Sequence, residues 1–518
     1  MTTDCVNPVE PPSVGSPYEL LLTAALLIPI SHYLLGFLII SLVFLYNFME
    51  MHFFQDLFTG FRGQPVKLTF NPSSKLYHDV VSMCKILHGR YLSTPWLCSP
   101  HLQTIYQHYF GFAPVVKYKR QIFIASDGGT IALDWVIKDH YHVKRTANEV
   151  NDEVYYDGRN PIMIIVPGLT STSNSSYVKI LVHEMAKSGY NVVVNNHRGF
   201  GGVPITSDHL YNAGRTEDLR KVIDHIHCKY PEAPLFAIGT SIGANILVKY
   251  LGEDKTNVPI IGAAAICCPW DLLIGDRFMN RGRLQRFYNK ALAVGLKAYA
   301  QLHEPVFSRI SKWESVKRSS SIREFDDHAT RVVDYYETVD TFYRRCSSSK
   351  YVVSVKIPLL CISSLDDPVC TREAIPWDEC RFNSNVVLAT TQHGGHLPYF
   401  EGLTAKSVWW VRAVEEYFSV LKSCHRKEKA PFVCVSEDGH ENMNKYDWED
   451  LIRPEESPHE KQNANIEQDI TRRKGFLNII APVKRSLWVL VYVALVTSWP
   501  IVGSVLLFSR ERFQNLFT

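Results

Sequence analysis

The sequence predicts an α/β fold: a mostly parallel sheet with helices on both faces, a helical insertion, and an apolar segment at each end. Three observations predict it. Short apolar runs alternate with helix-periodic segments through the middle of the chain. The composition, 46% apolar and 21% charged, is that of a globular protein and excludes collagen, coiled coil and wholesale disorder. Near both termini lie uncharged stretches long enough for a bilayer.

The elements follow in order. Residues 20–49 contain no Asp, Glu, Lys or Arg, and a membrane span needs roughly 20 such residues. Pro29, Ser31 and His32 interrupt this run, which predicts a kinked span or a shallow hairpin. The tail before it is acidic, and the run far exceeds the roughly 7–15 residues of a signal-peptide core, so a retained anchor is expected. Residues 121–125 and 130–137 flank Asp127-Gly128-Gly129 and read as a hairpin. The apolar run 161–166 reads as a buried parallel strand. Helix 177–188 and strand 191–194 follow. Helix 217–230 places Leu219, Val222, Ile223 and Ile226 at i, i+3, i+4 and i+7. Next come strand 235–238, helix 242–251 and strand 260–267. Residues 356–362 and 385–389 read as strands, and Val411, Val414 and Phe418 mark a closing helix.

Residues 269–349 interrupt the alternation and read as a helical cap, with Leu284, Phe287, Tyr288, Ala291 and Leu292 at helical spacing. Residues 437–469 are polar and acidic, with Pro454 and Pro458, as in a solvated linker. Residues 486–509 are again uncharged and hold Trp488, Tyr492 and Trp499, aromatics suited to a membrane interface. The expected organisation is an anchor in 1–50, a folded body in 51–425, a linker in 426–475 and a membrane-associated segment in 476–518.

Fifty-five basic against 52 acidic residues leave a net charge of +3, too balanced for a nucleic-acid binder. Arg472, Arg473, Lys474, Lys484 and Arg485 crowd the body side of the second apolar segment, while the N-terminal tail has no basic residue. The positive-inside rule then places the body in the cytosol, on an endomembrane such as the endoplasmic reticulum. The 12 cysteines form no CxxC pair, which argues for a reducing compartment and against a disulfide scaffold or structural zinc. The sequon Asn174-Ser175-Ser176 contradicts this orientation only if it is glycosylated.

The chemistry centres on Gly239-Thr240-Ser241-Ile242-Gly243, a G-x-S-x-G between an apolar strand and a helix. That context makes it a nucleophile elbow, in which glycines let the chain turn tightly enough to expose the Ser241 hydroxyl. Serine needs a base, and around such an elbow the acid and then the histidine follow in the chain. Asp366-Asp367-Pro368 comes after one strand and His393-Gly394-Gly395-His396 after the next. Asp367 is preferred to Asp366 for the Pro368-Val369 that follows it. His396 is preferred to His393 for the double glycine before it, which suits a loop tip. Backbone N–H groups of Ile242 and Leu169 are the oxyanion-hole candidates, the latter in the loop Pro167-Gly168-Leu169-Thr170-Ser171. There is no P-loop, no H-E-x-x-H and no H-x-x-x-x-D, and no cofactor or metal is expected.

Between residues 96 and 418 the chain resembles a family of membrane-associated esterases and lipases with the α/β-hydrolase fold. That branch holds yeast medium-chain fatty acid ethyl ester synthases, animal phospholipid and monoacylglycerol lipases, and plant embryogenesis-associated proteins. The resemblance rests on Ser99-Pro100-His101-Leu102-Gln103-Thr104, the PGLTS loop, Asn196-His197-Arg198-Gly199, Gly239 to Asn245, Asp366-Asp367-Pro368 and Gly394-Gly395-His396. It implies the triad Ser241, Asp367 and His396, and it does not extend past residue 418. The expected protein is a membrane-anchored serine hydrolase of acyl, chiefly lipid, esters. Acyl transfer to an alcohol and a catalytically silent membrane scaffold are the competing readings.

Overall fold

The computed structural model of the chain describes residues 16–137 and 158–429. The expected polar linker and C-terminal apolar segment lie outside the described residues, apart from the end of the last helix. The described chain falls into two units, one ending at Phe48 and the other beginning at Met49.

In the first unit the uncharged run forms two helices, α1 (Pro17–Leu26) and α2 (Ile30–Phe48). Ser16 and Glu19 close a capping box at the start of α1. The break falls at Pro29, whose ring and missing N–H do not fit a helix interior. Among the described residues, α2 alone is long and apolar enough to cross a membrane, and none of it is buried.

The second unit is built on a nine-stranded sheet. In chain order the strands are β1 (Lys67–Phe70), β2 (Tyr118–Ile124), β3 (Thr130–Val136), β4 (Ile162–Val166), β5 (Asn191–Asn195), β6 (Leu235–Thr240), β7 (Ile260–Ile266), β8 (Leu359–Ser364) and β9 (Val386–Thr391). Across the sheet they run β1-β9-β8-β7-β6-β4-β5-β3-β2. The six from β5 to β9 are mutually parallel, and β1 and the β2–β3 hairpin pair antiparallel at the two edges.

The helices used below are α3 (Phe53–Phe58), α4 (Pro100–Phe110), α5 (Ser176–Lys187), α6 (Glu217–Lys229), α7 (Ile242–Asp254), α8 (Leu272–Met279), α9 (Arg283–Leu302), α10 (Ile322–His328), α11 (Val339–Cys346) and α12 (Trp409–Lys429). Period-two alternation sends the strand side chains to opposite faces. Met163 and Ile165 pack with α5 and α12, whereas Ile162, Ile164 and Val166 pack with α6 and α7. Every β4 residue is buried, which is why that strand reads as unbroken apolar sequence.

Between β7 and β8 the chain makes only helices. Leu296, Tyr299, Phe307 and Phe325 from this insertion share a small core with Phe200 and Leu210 of the loops beyond β5. The strand carrying β1 is absent from the sequence-based reading. The β8 strand starts at Leu359 rather than 356: a 3-10 turn ends at Ser354, and Pro358, immediately before the strand, has no N–H to pair with a neighbouring strand. The ten described cysteines are all free.

Candidate active site

β6 ends at Thr240 and α7 starts at Ile242, so Ser241 alone makes the turn. It sits at φ 52°, ψ −122°, a left-handed conformation that strains any residue with a side chain. The flanking glycines permit it. A Cβ on Gly239 would lie 2.6 Å from Cα of Ala244, and one on Gly243 would lie 2.2 Å from the Val166 carbonyl oxygen. The Ser241 N–H donates to Ile266 O of the neighbouring strand at 2.8 Å, which fixes the turn to the sheet. The hydroxyl stands at the N-terminus of α7, where the helix dipole favours developing negative charge.

β8 and β9 pair in parallel register up to Ser364 and Thr391, so the loops after them leave one edge side by side. Asp367 comes from the first and His396 from the second. Asp367 Oδ1 accepts the N–H groups of Val369 and Cys370, both at 2.8 Å. Its Oδ2 lies 2.9 Å from His396 Nδ1, and His396 Nε2 lies 2.9 Å from Ser241 Oγ. The Asp367 side chain is 2% exposed and that of His396 14%. With Asp367 ionised, Nδ1–H donates to the carboxylate and Nε2 is free to accept the serine proton.

The neighbouring candidates pair separately. Asp366 Oδ2 is 3.2 Å from His393 Nδ1, and its Oδ1 accepts Gly395 N–H at 3.0 Å. The structure thus sets Asp367 on His396 and Asp366 on His393.

The loop from Pro167 to Ser171 passes against the nucleophile: a Cβ on Gly168 would be 3.2 Å from Ser241 Cβ. Leu169 and Ile242 line the same cavity as Ser241. Neither backbone N–H has a hydrogen-bond partner among the described residues, so both are available as donors.

Several supporting residues escaped the sequence reading. Tyr177 OH accepts Gly168 N–H at 2.8 Å, and His197 Nε2 bonds the Pro167 carbonyl at 2.8 Å. Burial lowers the His197 pKa to about 4, so its neutral ring donates to that carbonyl. Thr104 Oγ1 accepts His396 N–H at 3.2 Å, and Trp410 Nε1 donates to Leu397 O at 2.7 Å. His52, just past α2 in the chain, stacks on His393 with ring centres 3.7 Å apart. Burial, helped by His393, lowers the His52 pKa to about 3. His197 and Thr104 lie in motifs quoted for the resemblance, which carried that much signal. Nothing in the sequence singled out Tyr177 or His52.

Ser241 and His396 open into a cavity of about 1080 Å³ between the sheet and the helical insertion. Leu292, Phe325 and Phe342 give it an apolar wall. Two acids, Asp276 and Asp326, also line it, and of these Asp326 is buried. The Asp326 carboxylate accepts Thr330 Oγ1 at 2.7 Å and Tyr343 OH at 2.9 Å, yet burial raises its pKa to about 6. Cys267, Asp367 and His396 hold donor atoms within 4.8 Å of one another, the one metal-like grouping among the described residues. Burial pushes the Cys267 thiol well up, with Asp367 adding to the effect, so the sulfur stays protonated and is a poor ligand.

A family profile described as "Serine aminopeptidase, S33" matches residues 159–401. An embryogenesis-associated protein, EMB8, of Picea glauca is 35% identical over 350 residues, covering 66% of this chain and 75% of that protein. The human protein named phospholipase ABHD3 is 32% identical, covering 65% and 80%. The chain belongs to the α/β-hydrolase family of serine esterases and lipases. A Danio rerio member named monoacylglycerol lipase ABHD2 is 28% identical to this hydrolase, covering 73% of it and 88% of its own length.

Proposed function

We propose that the protein hydrolyses acyl esters of lipids at a membrane surface. Ser241 attacks the ester carbonyl while His396 takes its proton, and Asp367 holds the imidazole in the accepting tautomer and stabilises its cation. Leu169 and Ile242 N–H groups bind the oxyanion of the tetrahedral intermediate. Collapse of that intermediate forms the acyl-Ser241 ester, and His396 returns the proton to the departing alcohol. Water then repeats the sequence on the acyl-enzyme and releases the acid.

The observation that carries this reading is the continuous chain Ser241 Oγ, His396 and Asp367, each link 2.9 Å long. The lipid substrate class is supported by the apolar cavity and by relatives named phospholipase and monoacylglycerol lipase. Membrane anchoring through α2 is supported by its length and composition. A cytosolic body follows from the charge bias of the sequence.

A fluorophosphonate probe tests the reading. The wild-type chain is expected to label and Ser241→Ala to resist labelling, and a panel of lipid esters is expected to be cleaved only by the wild type. A folded wild type that neither labels nor cleaves any ester would falsify it.

A further inference from the structure

We propose that the outer face of α9 docks on an anionic phospholipid surface and turns the cavity mouth toward the bilayer. The inference rests on the lipid-ester reading above and adds which face meets the lipid.

α9 runs over 20 residues and contains no Asp or Glu. Its inner side is buried: Tyr288, Asn289, Ala293, Leu296, Tyr299 and Ala300. Its outer side divides into two adjacent rows. Arg283, Arg286, Lys290 and Lys297 recur at i, i+3, i+7 and i+14, and none forms an ion pair among the described residues. Beside them Phe287, Ala291, Val294, Ala298 and Leu302 recur at i, i+4, i+7, i+11 and i+15. Phe287 is 58% exposed, Val294 54% and Leu302 80%. An exposed apolar row alongside unpaired basic residues is the pattern of a helix lying in a membrane interface.

Continuity with the cavity gives this face its direction. Phe287, Ala291 and Val294 line the cavity that holds Ser241 while also facing solvent, so they form its rim. Tyr109, 72% exposed, is a rim residue contributed by α4, next to the exposed Phe110 and Phe112. Lys406 lies over the Phe112 ring at 5.4 Å, adding a cation to that side. A water-soluble substrate has no use for an apolar rim. An acyl chain leaving a bilayer crosses it without meeting water. Anionic headgroups match the basic row, worth about fivefold in binding for each charge near the surface.

The full chain is reconstituted through its anchor into vesicles of phosphatidylcholine, alone or with about one fifth phosphatidylserine. Amide exchange across residues 283–302 is expected to slow about threefold or more on the anionic vesicles. Turnover of vesicle-borne monoacylglycerol and phosphatidylcholine esters is expected to rise about fivefold there. In Arg286→Glu/Lys290→Glu, residues outside the cavity lining, both responses should vanish. A soluble p-nitrophenyl ester should still be cleaved within about twofold of wild type, which also shows that the variant folds. Unchanged exchange on anionic vesicles, or responses that persist in the double variant, would overturn the docking face. Slowed exchange with no hydrolysis of any ester, identical in Ser241→Ala, would uphold docking and remove the lipid-ester reading.

Discussion

Asp366 and Asp367 differ by one position and serve different imidazoles, which makes them separable by mutation. Asp367 is nearly sealed from solvent and holds His396 directly. Asp367→Asn keeps the shape but favours the wrong tautomer, so kcat is expected to fall about 10⁴-fold with little change in KM. Asp366→Ala removes the acceptor for Gly395 N–H and His393, loosening the loop tip without touching the proton path. Its expected loss is about tenfold. Steady-state kinetics on a soluble ester checks both, and a reversed order would exchange the two assignments. Only part of this was legible beforehand. Pro368 and the glycines before His396 favour one member of each pair. The actual pairing depends on how the β8 and β9 loops sit in register, and no local motif encodes that.

At the scale of elements, the parallel strands were readable because burial on both faces leaves continuous apolar runs such as 162–166. β1 was not. Its four residues mix Lys67 and Thr69 with Leu68 and Phe70, and they become a strand only by pairing with β9 across more than three hundred residues. The insertion reads as a helical cap, but amphipathic spacing alone does not say what a helix covers, and which residues roof the cavity emerges only in the structure. Its buried acid yields a prediction with a definite sign. Folding raises the Asp326 pKa to about 6 from an ordinary value near 4. Between those values the folded state binds more proton than the unfolded one, so stability falls as pH rises from about 4 to 6 and stays lower above. Asp326→Asn removes that penalty while Thr330 and Tyr343 keep a polar partner. Its urea midpoint is expected to exceed wild type at pH 8, by about 2 kcal/mol in free energy, and to match it below pH 4. An equal gain at both pH values would assign the effect to packing instead of charge.

Across the whole second unit, one buried cation ties together segments far apart in sequence. Arg198 follows β5, and its side chain is 0% exposed. Nη1 donates to Asp127 in the turn of the β2–β3 hairpin at 2.7 Å. Nε and Nη2 form a fork on Asp218 in the first turn of α6, at 3.0 and 2.6 Å. The guanidinium thereby fastens the antiparallel hairpin at the sheet edge to the parallel layer and to a covering helix. Burial opposes ionisation of Asp127, but the Arg198 bonds prevail and hold its carboxyl well below the usual range. A depressed acid contributes stability that is complete above its unfolded value near 4 and is lost as pH falls toward the folded value. Arg198→Met should therefore act in two ways. Two carboxylates are left facing one another with Arg215, at 3.5 and 3.7 Å, as the remaining cation among the described residues, which costs about 3 kcal/mol at pH 7. As pH falls below about 4, where the unfolded Asp127 carboxyl takes up its proton and the wild type loses the stability that the Arg198 bonds supply, the gap to wild type should narrow. Urea titrations at pH 7 and pH 3.5 measure both quantities. A deficit that stays constant between them would mean that Arg198 acts through its packing alone and that the ionic tie contributes nothing to holding the hairpin in place.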